Sequence, residues 1–370
     1  MVAFASTSSS GARVAARAAL VAAGLTVAVG TVADTRPPDP PASDAVMLMY
    51  HHVGDDGHVS TRVTEDQFRA HLEYIADNDY TVVPLGEVIA AVEEQAPLPA
   101  RAVAITFDDG YRSVGEIAHP LLQERGWPYT VFVNTEPHDE GFQGYMTWER
   151  MQAMADDGVR FANHSTSHDP LFERREGEDQ AAWSQRITED LQGAQARLEA
   201  MLGDAVYSDP PLLAYPYGEY DTDLMALVDA LGYVAFGQQS GAIGRHSNRL
   251  ALPRFAINER YGDPASFSLR LATRALPVVA QSPLNPIRLD AEPPRLVLTI
   301  EGEQLATHAM GCFYRGEVLE VDWLEPGVRF AVQGEAALPE GRSRYTCTMP
   351  DGDGGFYWFS QQWVVGQGGT

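Results

Sequence analysis

The feature that most constrains the fold of this chain is a regular alternation of strand-like and helix-like segments from Val46 onward. Short apolar runs alternate with segments in which polar and apolar residues recur at helical spacing. Repeated β–α units predict a parallel sheet or barrel, whose functional residues lie at the carboxyl ends of the strands. The predicted strands are residues 46–50, 81–83, 101–107, 129–133, 159–162, 212–215 and 233–236. The predicted helices include one that opens at a capping box in residues 64–67 and two others at residues 181–201 and 222–231.

The alternation ends at residues 282–294, where proline and aspartate become frequent. Beyond them, short strand-like segments are separated by turns, and no helical periodicity remains. We therefore predict an α/β domain at residues 46–282 and a small all-β sandwich at residues 286–370, whose role the sequence does not reveal. The only cysteines, Cys312 and Cys347, lie on two predicted strands of the sandwich, and an exported chain permits a disulfide between them.

The first residues have the pattern of an export signal. Arg13 and Arg17 precede the uncharged stretch at residues 18–33, which is shorter than the ~20 apolar residues that span a bilayer comfortably. We predict a signal peptide at residues 1–33, a proline-rich linker at residues 34–45 and export to the periplasm or the cell exterior. The alternative is an uncleaved membrane anchor. No other long apolar run occurs, so no membrane span is expected in the mature chain.

The charge of the chain narrows its possible partners. It has 51 acidic and 26 basic residues, a formal net charge of −25. Nucleic-acid binding needs a basic surface, so no nucleic-acid partner is expected. The acidity suits solubility, or a neutral or cationic partner. With only two cysteines in the sequence, cysteine-based zinc fingers and iron–sulfur clusters are excluded.

Three polar motifs follow predicted strands. Asp108 and Asp109 end one strand, His164 and His168 follow another, and residues 215–218 end a third. One carboxylate and two imidazoles can hold a catalytic metal ion and leave a position open for water. Taken singly, each motif is also compatible with a solvated turn or a polar loop. Their joint occurrence at strand ends is what indicates a functional site.

Together the motifs resemble those of the polysaccharide deacetylases of carbohydrate esterase family four. Thr-Phe-Asp-Asp-Gly, His-Ser-Thr-Ser-His and Tyr-Pro-Tyr-Gly are similar to the family's first three motifs, and the resemblance covers about residues 46–254. It implies a distorted (β/α) barrel of the NodB type that removes N-acetyl groups from amino-sugar polymers. It also implies one divalent metal ion, with zinc expected and cobalt or nickel as alternatives. The implied roles are Asp108 as general base, Asp109, His164 and His168 as metal ligands, and the backbone N–H of Tyr217 as an oxyanion donor, next to Pro216.

One departure from the family pattern concerns the arginine that braces the catalytic aspartate. In many relatives this arginine begins the third motif, but Leu213 and Ala214 occupy that place here. Arg254 is the candidate substitute, and a surface arginine is the alternative interpretation.

A second departure concerns the general acid. The family's late histidine motif is missing after Phe236, whereas His51 and His52 follow the first strand. This order resembles the permuted branch that acts on poly-β-1,6-N-acetylglucosamine, in which the acid histidine comes from the beginning of the domain. The match implies His51 as general acid, with His52 as its rival, and we expect His52 to face solvent.

These observations predict a metal-dependent hydrolase that removes N-acetyl groups from an N-acetylglucosamine-containing polysaccharide and releases acetate. One alternative is a deacetylase-like protein that binds glycan with little turnover, although the four intact residues of the first two motifs argue against it. The other is the same chemistry on chitooligosaccharide or peptidoglycan, since the sequence does not distinguish β-1,6 from β-1,4 linkages. We expect a monomer whose partner is an N-acetylated amino-sugar polymer.

Overall fold

The structure is a computed structural model that describes residues 44–302 and 305–366. The predicted signal peptide and residues 34–43 of the predicted linker lie outside the described residues. Among the helices in the described ranges, none is both long enough and apolar enough to cross a membrane.

The described residues form eight α-helices and twenty-one strands. The helices are α1 Glu65–Asp77, α2 Leu85–Glu93, α3 His119–Gln123, α4 Thr135–Asp139, α5 Trp148–Asp156, α6 Gln180–Leu202, α7 Thr222–Ala230 and α8 Pro264–Leu271. The first strands are β1 Asp44–Tyr50, β2 His52–Val53, β3 Arg62–Val63, β4 Thr81–Val82, β5 Ala102–Phe107, β6 Thr130–Val133, β7 Arg160–Asn163, β8 Leu212–Ala214, β9 Val234–Phe236, β10 Ile243–Gly244 and β11 Phe255–Ala256. The later strands are β12 Thr273–Ala275, β13 Val278–Ser282, β14 Ile287–Arg288, β15 Leu296–Ile300, β16 Gly311–Tyr314, β17 Glu317–Leu319, β18 Asp322–Glu325, β19 Arg329–Val332, β20 Gly341–Pro350 and β21 Phe356–Val365.

The first large sheet curls into an open barrel, which confirms the predicted α/β barrel fold. Its strand order is β10-β1-β5-β6-β7-β8-β9, and the strands from β1 to β9 along this order run parallel. Alternate residues of β1 enter two different cores, Val46 and Leu48 on one side and Ala45 and Met47 on the other. Both faces of the sheet are therefore covered, and this burial on both sides is why the strands read as continuous apolar runs.

The segment at residues 252–256 bridges the gap between the last and first strands of the barrel. Leu252 pairs with Phe236 at the end of β9, and Phe255 pairs with Leu48 of β1. Arg254 lies between these two pairings and is fully buried. The bridging segment thus brings a buried cation to the barrel, near the carboxyl end of β5.

The local signals for the helices are confirmed. The Thr64 hydroxyl accepts a hydrogen bond from the Gln67 N–H at 3.1 Å, and the Gln67 side-chain oxygen accepts one from the Thr64 N–H at 3.1 Å. This reciprocal pair is the predicted capping box, and α1 begins directly after it. The long predicted helix at residues 181–201 corresponds to α6.

The C-terminal part is a β-rich sandwich of two sheets. One has the order β12-β21-β20-β16-β17, with β14 also on β21, and the other has the order β13-β15-β19-β18. The first of these sheets is mixed rather than purely antiparallel, since β12 and β14 run parallel to β21. Strands β12 and β13, which precede residue 286, also pair within this sandwich. Cys312 and Cys347 face each other on β16 and β20 and form a disulfide.

The outer face of the mixed sheet packs on the barrel, and the two form one compact unit. The rings of Trp358 and Phe255 lie 5.6 Å apart, and the Trp358 indole N–H donates to the Ser240 hydroxyl at 3.1 Å. Near the third motif, the Gln362 side-chain amide donates to the Gly218 carbonyl at 2.6 Å. The sandwich therefore supports the part of the barrel rim that carries the third motif.

Candidate active site

Asp108 directly follows β5 and forms a buried ion pair with Arg254. Its two carboxylate oxygens accept hydrogen bonds from the two Nη atoms of Arg254 at 2.6 and 2.8 Å. Arg254 Nε donates to the Gly237 carbonyl at 3.0 Å. Burial by itself raises the pKa of Asp108, but the Arg254 guanidinium and the nearby His164 and His51 outweigh it, and the pKa lies below its ordinary value. Asp108 is therefore an ionised carboxylate held in one orientation.

Asp109, His164 and His168 converge on one point beside this pair. Asp109 Oδ1 is 3.3 Å from Nε2 of each histidine, and the three possible ligand atoms lie within 4.8 Å of one another. Asp109 Oδ1 and His164 Nε2 are buried without a hydrogen-bond partner. Buried polar atoms are normally satisfied, and one carboxylate with two imidazoles is a common donor set for a divalent metal. These residues therefore fit a metal ion.

The neighbouring backbone fixes the direction of the His164 ring. His164 Nδ1 lies 2.7 Å from the Ala214 carbonyl at the end of β8. A carbonyl only accepts, so Nδ1 carries a proton, and Nε2 is the nitrogen that faces Asp109. Strand β8 thus determines which nitrogen of His164 is available to a metal.

Strained backbone is concentrated at this site. Eight described non-glycine residues have a positive φ, and four of them belong to the three motifs: Asp109 at 71°, Ser165 at 70°, His168 at 66° and Tyr217 at 59°. Each such residue costs of order 1–3 kcal/mol and persists only where the surrounding structure enforces it. Such strain is typical of functional sites.

His51 and His52 follow the end of β1 and have different surroundings. The Tyr50 carbonyl accepts a hydrogen bond from the Asp108 N–H at 2.9 Å. The residue after Tyr50, His51, therefore lies at the same rim of the barrel as Asp108, where it is half-buried. His51 is one of the groups near both Asp108 and Asp109, whose pKa values are lowered chiefly by Arg254 and by His164, respectively. Contrary to our expectation, His52 does not face open solvent. Its ring stacks on Tyr111, with centroids 3.6 Å apart, and burial lowers its pKa to about 4.

The third motif forms a tight turn at the rim. The Gly218 N–H donates to the Tyr215 carbonyl at 2.8 Å, Pro216 is buried, and Tyr217 takes the left-handed conformation noted above. The Tyr217 ring is 40% exposed and lies edge-on to His168, with centroids 4.6 Å apart. The turn therefore places Tyr217 against the cluster of Asp109, His164 and His168 and leaves its ring partly open to solvent.

Several residues near the site had not been singled out from the sequence. Tyr111 packs against Tyr145, with centroids 4.9 Å apart, and its position directly after the first motif was an available signal. His138 of α4 hydrogen-bonds the Met146 carbonyl through Nδ1 at 2.7 Å and lies 3.1 Å from the Asp109 carbonyl through Nε2. A Cβ on Gly110 would lie 2.8 Å from His138 Nε2, so only glycine fits there. No local sequence pattern marks His138.

Residues 95–236 match the sequence profile of the family described as "Polysaccharide deacetylase". The matched range includes Asp108, Asp109, His164, His168 and the third motif, and the curled barrel is the fold expected for that class. This part of the chain therefore has the sequence signature of a polysaccharide deacetylase domain.

Named relatives and solved structures are similar over somewhat more than half of the chain. The poly-beta-1,6-N-acetyl-D-glucosamine N-deacetylase of Escherichia coli (strain K12) is 24% identical over 256 residues, 59% of this chain and 37% of that protein. The enzyme of the same name from Staphylococcus aureus (strain MRSA252) is 24% identical over 202 residues, 53% of this chain and 68% of that protein. The structure of IcaB from Ammonifex degensii aligns with a TM-score of 0.52 and 21% identity, covering 61% of this chain and 97% of that one. This last likeness supports the fold.

Proposed function

We propose that this protein is a metal-dependent N-deacetylase that releases acetate from an N-acetylglucosamine-containing polysaccharide. One observation carries the proposal: the buried Asp108–Arg254 pair lies directly beside the cluster of Asp109, His164 and His168. The names of the relatives from E. coli and S. aureus favour a poly-β-1,6-linked polymer as substrate. Chitooligosaccharide and peptidoglycan are the competing substrates.

We propose that Asp109, His164 and His168 hold one divalent ion, with zinc favoured over cobalt and nickel. The set of one carboxylate and two imidazoles, with one oxygen and one nitrogen lacking hydrogen bonds, supports this assignment. A bound ion supplies a Lewis acid for the amide carbonyl and makes water easier to deprotonate.

Three residues of the chain are proposed to handle protons and charge around the reacting amide. Asp108, kept ionised by Arg254, accepts the proton that the attacking water loses. The backbone N–H of Tyr217, beside Pro216, stabilises the negative charge that develops on the carbonyl oxygen. His51 donates the proton that the leaving amine requires, because an unprotonated amine is a poor leaving group. His51 is favoured over His52, whose ring is held against Tyr111.

The proposal is tested by measuring acetate release from poly-β-1,6-N-acetylglucosamine, chitooligosaccharide and peptidoglycan, with metal content measured on the same samples. We expect release from at least one polymer, inhibition by a chelator and about one divalent ion per chain. Asp108→Asn should retain the ion and lose ~10²–10⁴-fold in turnover, since an amide does not accept the proton. The surface variant Asp229→Asn is the matched control. No acetate from any of the three polymers, with the ion bound, would favour a glycan-binding protein with little turnover.

The role of His51 is tested by comparing two leaving groups. An activated aryl acetate ester needs no protonation to leave, whereas the amide does. His51→Ala should therefore lose more activity on the amide than on the ester, with unchanged metal content, and His52→Ala should be milder on both. Equal losses on the two substrates would assign His51 to positioning. A larger loss for His52→Ala would assign the proton donor to His52.

We also propose that the chain is exported and acts as a monomer outside the cytoplasm. The disulfide between Cys312 and Cys347 suits an oxidising compartment. The mass of the native protein tests this proposal: it should begin near Asp34 and contain no free thiol. An unprocessed N-terminus with two free thiols would contradict export.

A further inference from the structure

A groove lies between the sandwich and the barrel, with a volume of about 820 Å³. One wall is the outer face of β20 and β16, and the other wall is the loop after β11 together with α8. Alternate residues of a strand share a face. For this reason Arg342, Arg344, Thr346 and Thr348 of β20 all line the groove, with Phe313 of β16 paired opposite Thr346.

The groove is positively charged. Four arginines line it, and none of its described lining residues is an aspartate or glutamate. Arg342 lies 3.5 Å from Glu219, whereas none of the described carboxylates is within ion-pair distance of Arg260, Arg315 or Arg344. The whole chain carries a net charge of −25, so the groove reverses the charge of the molecule locally.

The chemistry of these side chains suits an anionic sugar. The sequence contains no lysine, so every fixed side-chain cation is a guanidinium group. A guanidinium binds a carboxylate or phosphate through two parallel hydrogen bonds. Tyr261 and Phe313 also line the groove, and Phe313 is 36% exposed, so flat apolar ring surface lies next to the cations.

One end of the groove reaches the candidate active site. Arg342 donates a hydrogen bond to the Tyr217 carbonyl at 2.5 Å, and the Tyr217 ring contacts the ring of His168. We propose that the groove binds a segment of the glycan that carries fixed anionic groups, either carboxylate or phosphate, while a neighbouring N-acetyl sugar occupies the metal site. This assignment rests on the proposed deacetylase function, and it favours an acidic N-acetylglucosamine-containing polysaccharide over the neutral poly-β-1,6-linked polymer to which the names of the relatives point.

Charge complementarity favours an acidic glycan over a neutral glycan, its deacetylated product or nucleic acid as the ligand of the groove. A neutral polymer of N-acetylglucosamine gains no charge attraction from unpaired arginines, and its deacetylated product carries ammonium groups that the groove repels. Nucleic acid is disfavoured because the rest of the surface is acidic. An acidic glycan has the attractive charge and also presents sugar rings to the aromatic residues.

The test measures binding of fluorescently labelled hexasaccharides to the full chain by anisotropy, in chelator, so that no turnover is needed. The probes are a hyaluronan hexamer that carries carboxylates, a phosphodiester-linked N-acetylglucosamine hexamer, and chitohexaose as the neutral probe. We expect at least one anionic hexamer to bind about tenfold more tightly than chitohexaose, with the advantage lost as ionic strength rises. The tighter anionic probe identifies whether the group recognised is a carboxylate or a phosphate.

The variant Arg315→Gln/Arg344→Gln should lose most of this advantage, about tenfold for two exposed charge contacts. Its matched control is Arg245→Gln/Arg329→Gln, which removes the same charge from exposed positions outside the groove and should bind like the wild type.

Three results would overturn the assignment: equal affinity for neutral and anionic hexamers, unchanged binding by Arg315→Gln/Arg344→Gln, or equally tight binding of a single-stranded DNA dodecamer. The last result would mean unspecific attraction of polyanions. Because binding is measured without turnover, a failure of the acetate-release assay and a failure of this assay are distinguishable.

Discussion

The buried pair of Asp108 and Arg254 makes a quantitative prediction about stability. In Arg254→Met the cation is lost while the Asp108 carboxylate stays fully buried, since neither side chain has any exposed surface in the wild type. Removing one partner of a buried ion pair typically costs ~3–5 kcal/mol, because the remaining charge has lost both its counter-ion and water. Arg249→Met is the matched control. Arg249 pairs with Glu93 and Asp229 at the surface, and its loss should cost less than ~1 kcal/mol.

The pH dependence of this cost has a definite sign. In the wild type the pKa of Asp108 is below its ordinary value. The ionised carboxylate therefore contributes its full stabilisation to the folded protein above the ordinary carboxylate pKa. This stabilisation is lost only when the pH falls through the lowered pKa of the folded state. In Arg254→Met, burial acts without opposition from the guanidinium and raises the pKa of Asp108. The stability deficit of the variant should then be largest near neutral pH and should shrink as the pH falls toward the ordinary carboxylate pKa.

The assay is urea unfolding in chelator, which removes any contribution from a bound metal, followed by tryptophan fluorescence at pH 7 and pH 5. A double-mutant cycle with Asp108→Asn isolates the interaction between the two side chains, and we expect a coupling energy of at least about 2 kcal/mol. A cost for Arg254→Met below about 1 kcal/mol, or a deficit that does not shrink at pH 5, would refute the reasoning. Either outcome would mean that water reaches Asp108 when Arg254 is removed.

Three further predictions follow from local features of the structure. Burial lowers the pKa of His71 to about 4, so stability should fall by up to ~3 kcal/mol as the pH drops from about 6.5 to 4, and unfolding curves of His71→Gln should lose this slope. Reducing or replacing Cys312 and Cys347, which are 35 residues apart, should destabilise the sandwich by ~4 kcal/mol in the loop-entropy account, measured by thermal unfolding. Gly110→Ala should lower metal occupancy and stability more than Gly158→Ala. Both glycines have a positive φ, but only at Gly110 would the added Cβ clash, at 2.8 Å from His138 Nε2. Equal effects of the two substitutions would contradict this reasoning.

The sequence predicted the barrel because its strands are buried on both faces. Strand β5 appears as an apolar run interrupted only by Thr106, and the two carboxylates follow directly after the strand. The capping box before α1 was equally local, since all its hydrogen bonds lie between Thr64 and Gln67. Features that depend on a few adjacent residues were therefore accessible from the sequence alone.

Other parts of the site depend on contacts between residues that are far apart in the sequence. Arg342 meets the Tyr217 carbonyl across 125 positions, and the Arg254–Asp108 pair spans 146. The sequence identified Arg254 as a candidate partner of Asp108 but not how the two side chains meet. It did not identify Arg342 as a residue of the site, because a surface arginine on a strand has no local sequence pattern. The pairing of β12 with β21 also depends on residues far apart in the sequence, since the three residues of β12 do not by themselves specify which sheet they join.

The structure also explains how two adjacent aspartates can serve different tasks. In a regular strand, neighbouring side chains point to opposite faces, so Asp108 and Asp109 could not both reach one site. Asp109 instead has a φ of 71°, and this left-handed conformation breaks the alternation immediately after β5. Asp108 then faces a guanidinium and Asp109 faces two imidazoles. Both pKa values are lowered, chiefly by the Arg254 guanidinium for Asp108 and by the hydrogen bond to His164 for Asp109, so the two adjacent carboxylates are directed to different neighbours.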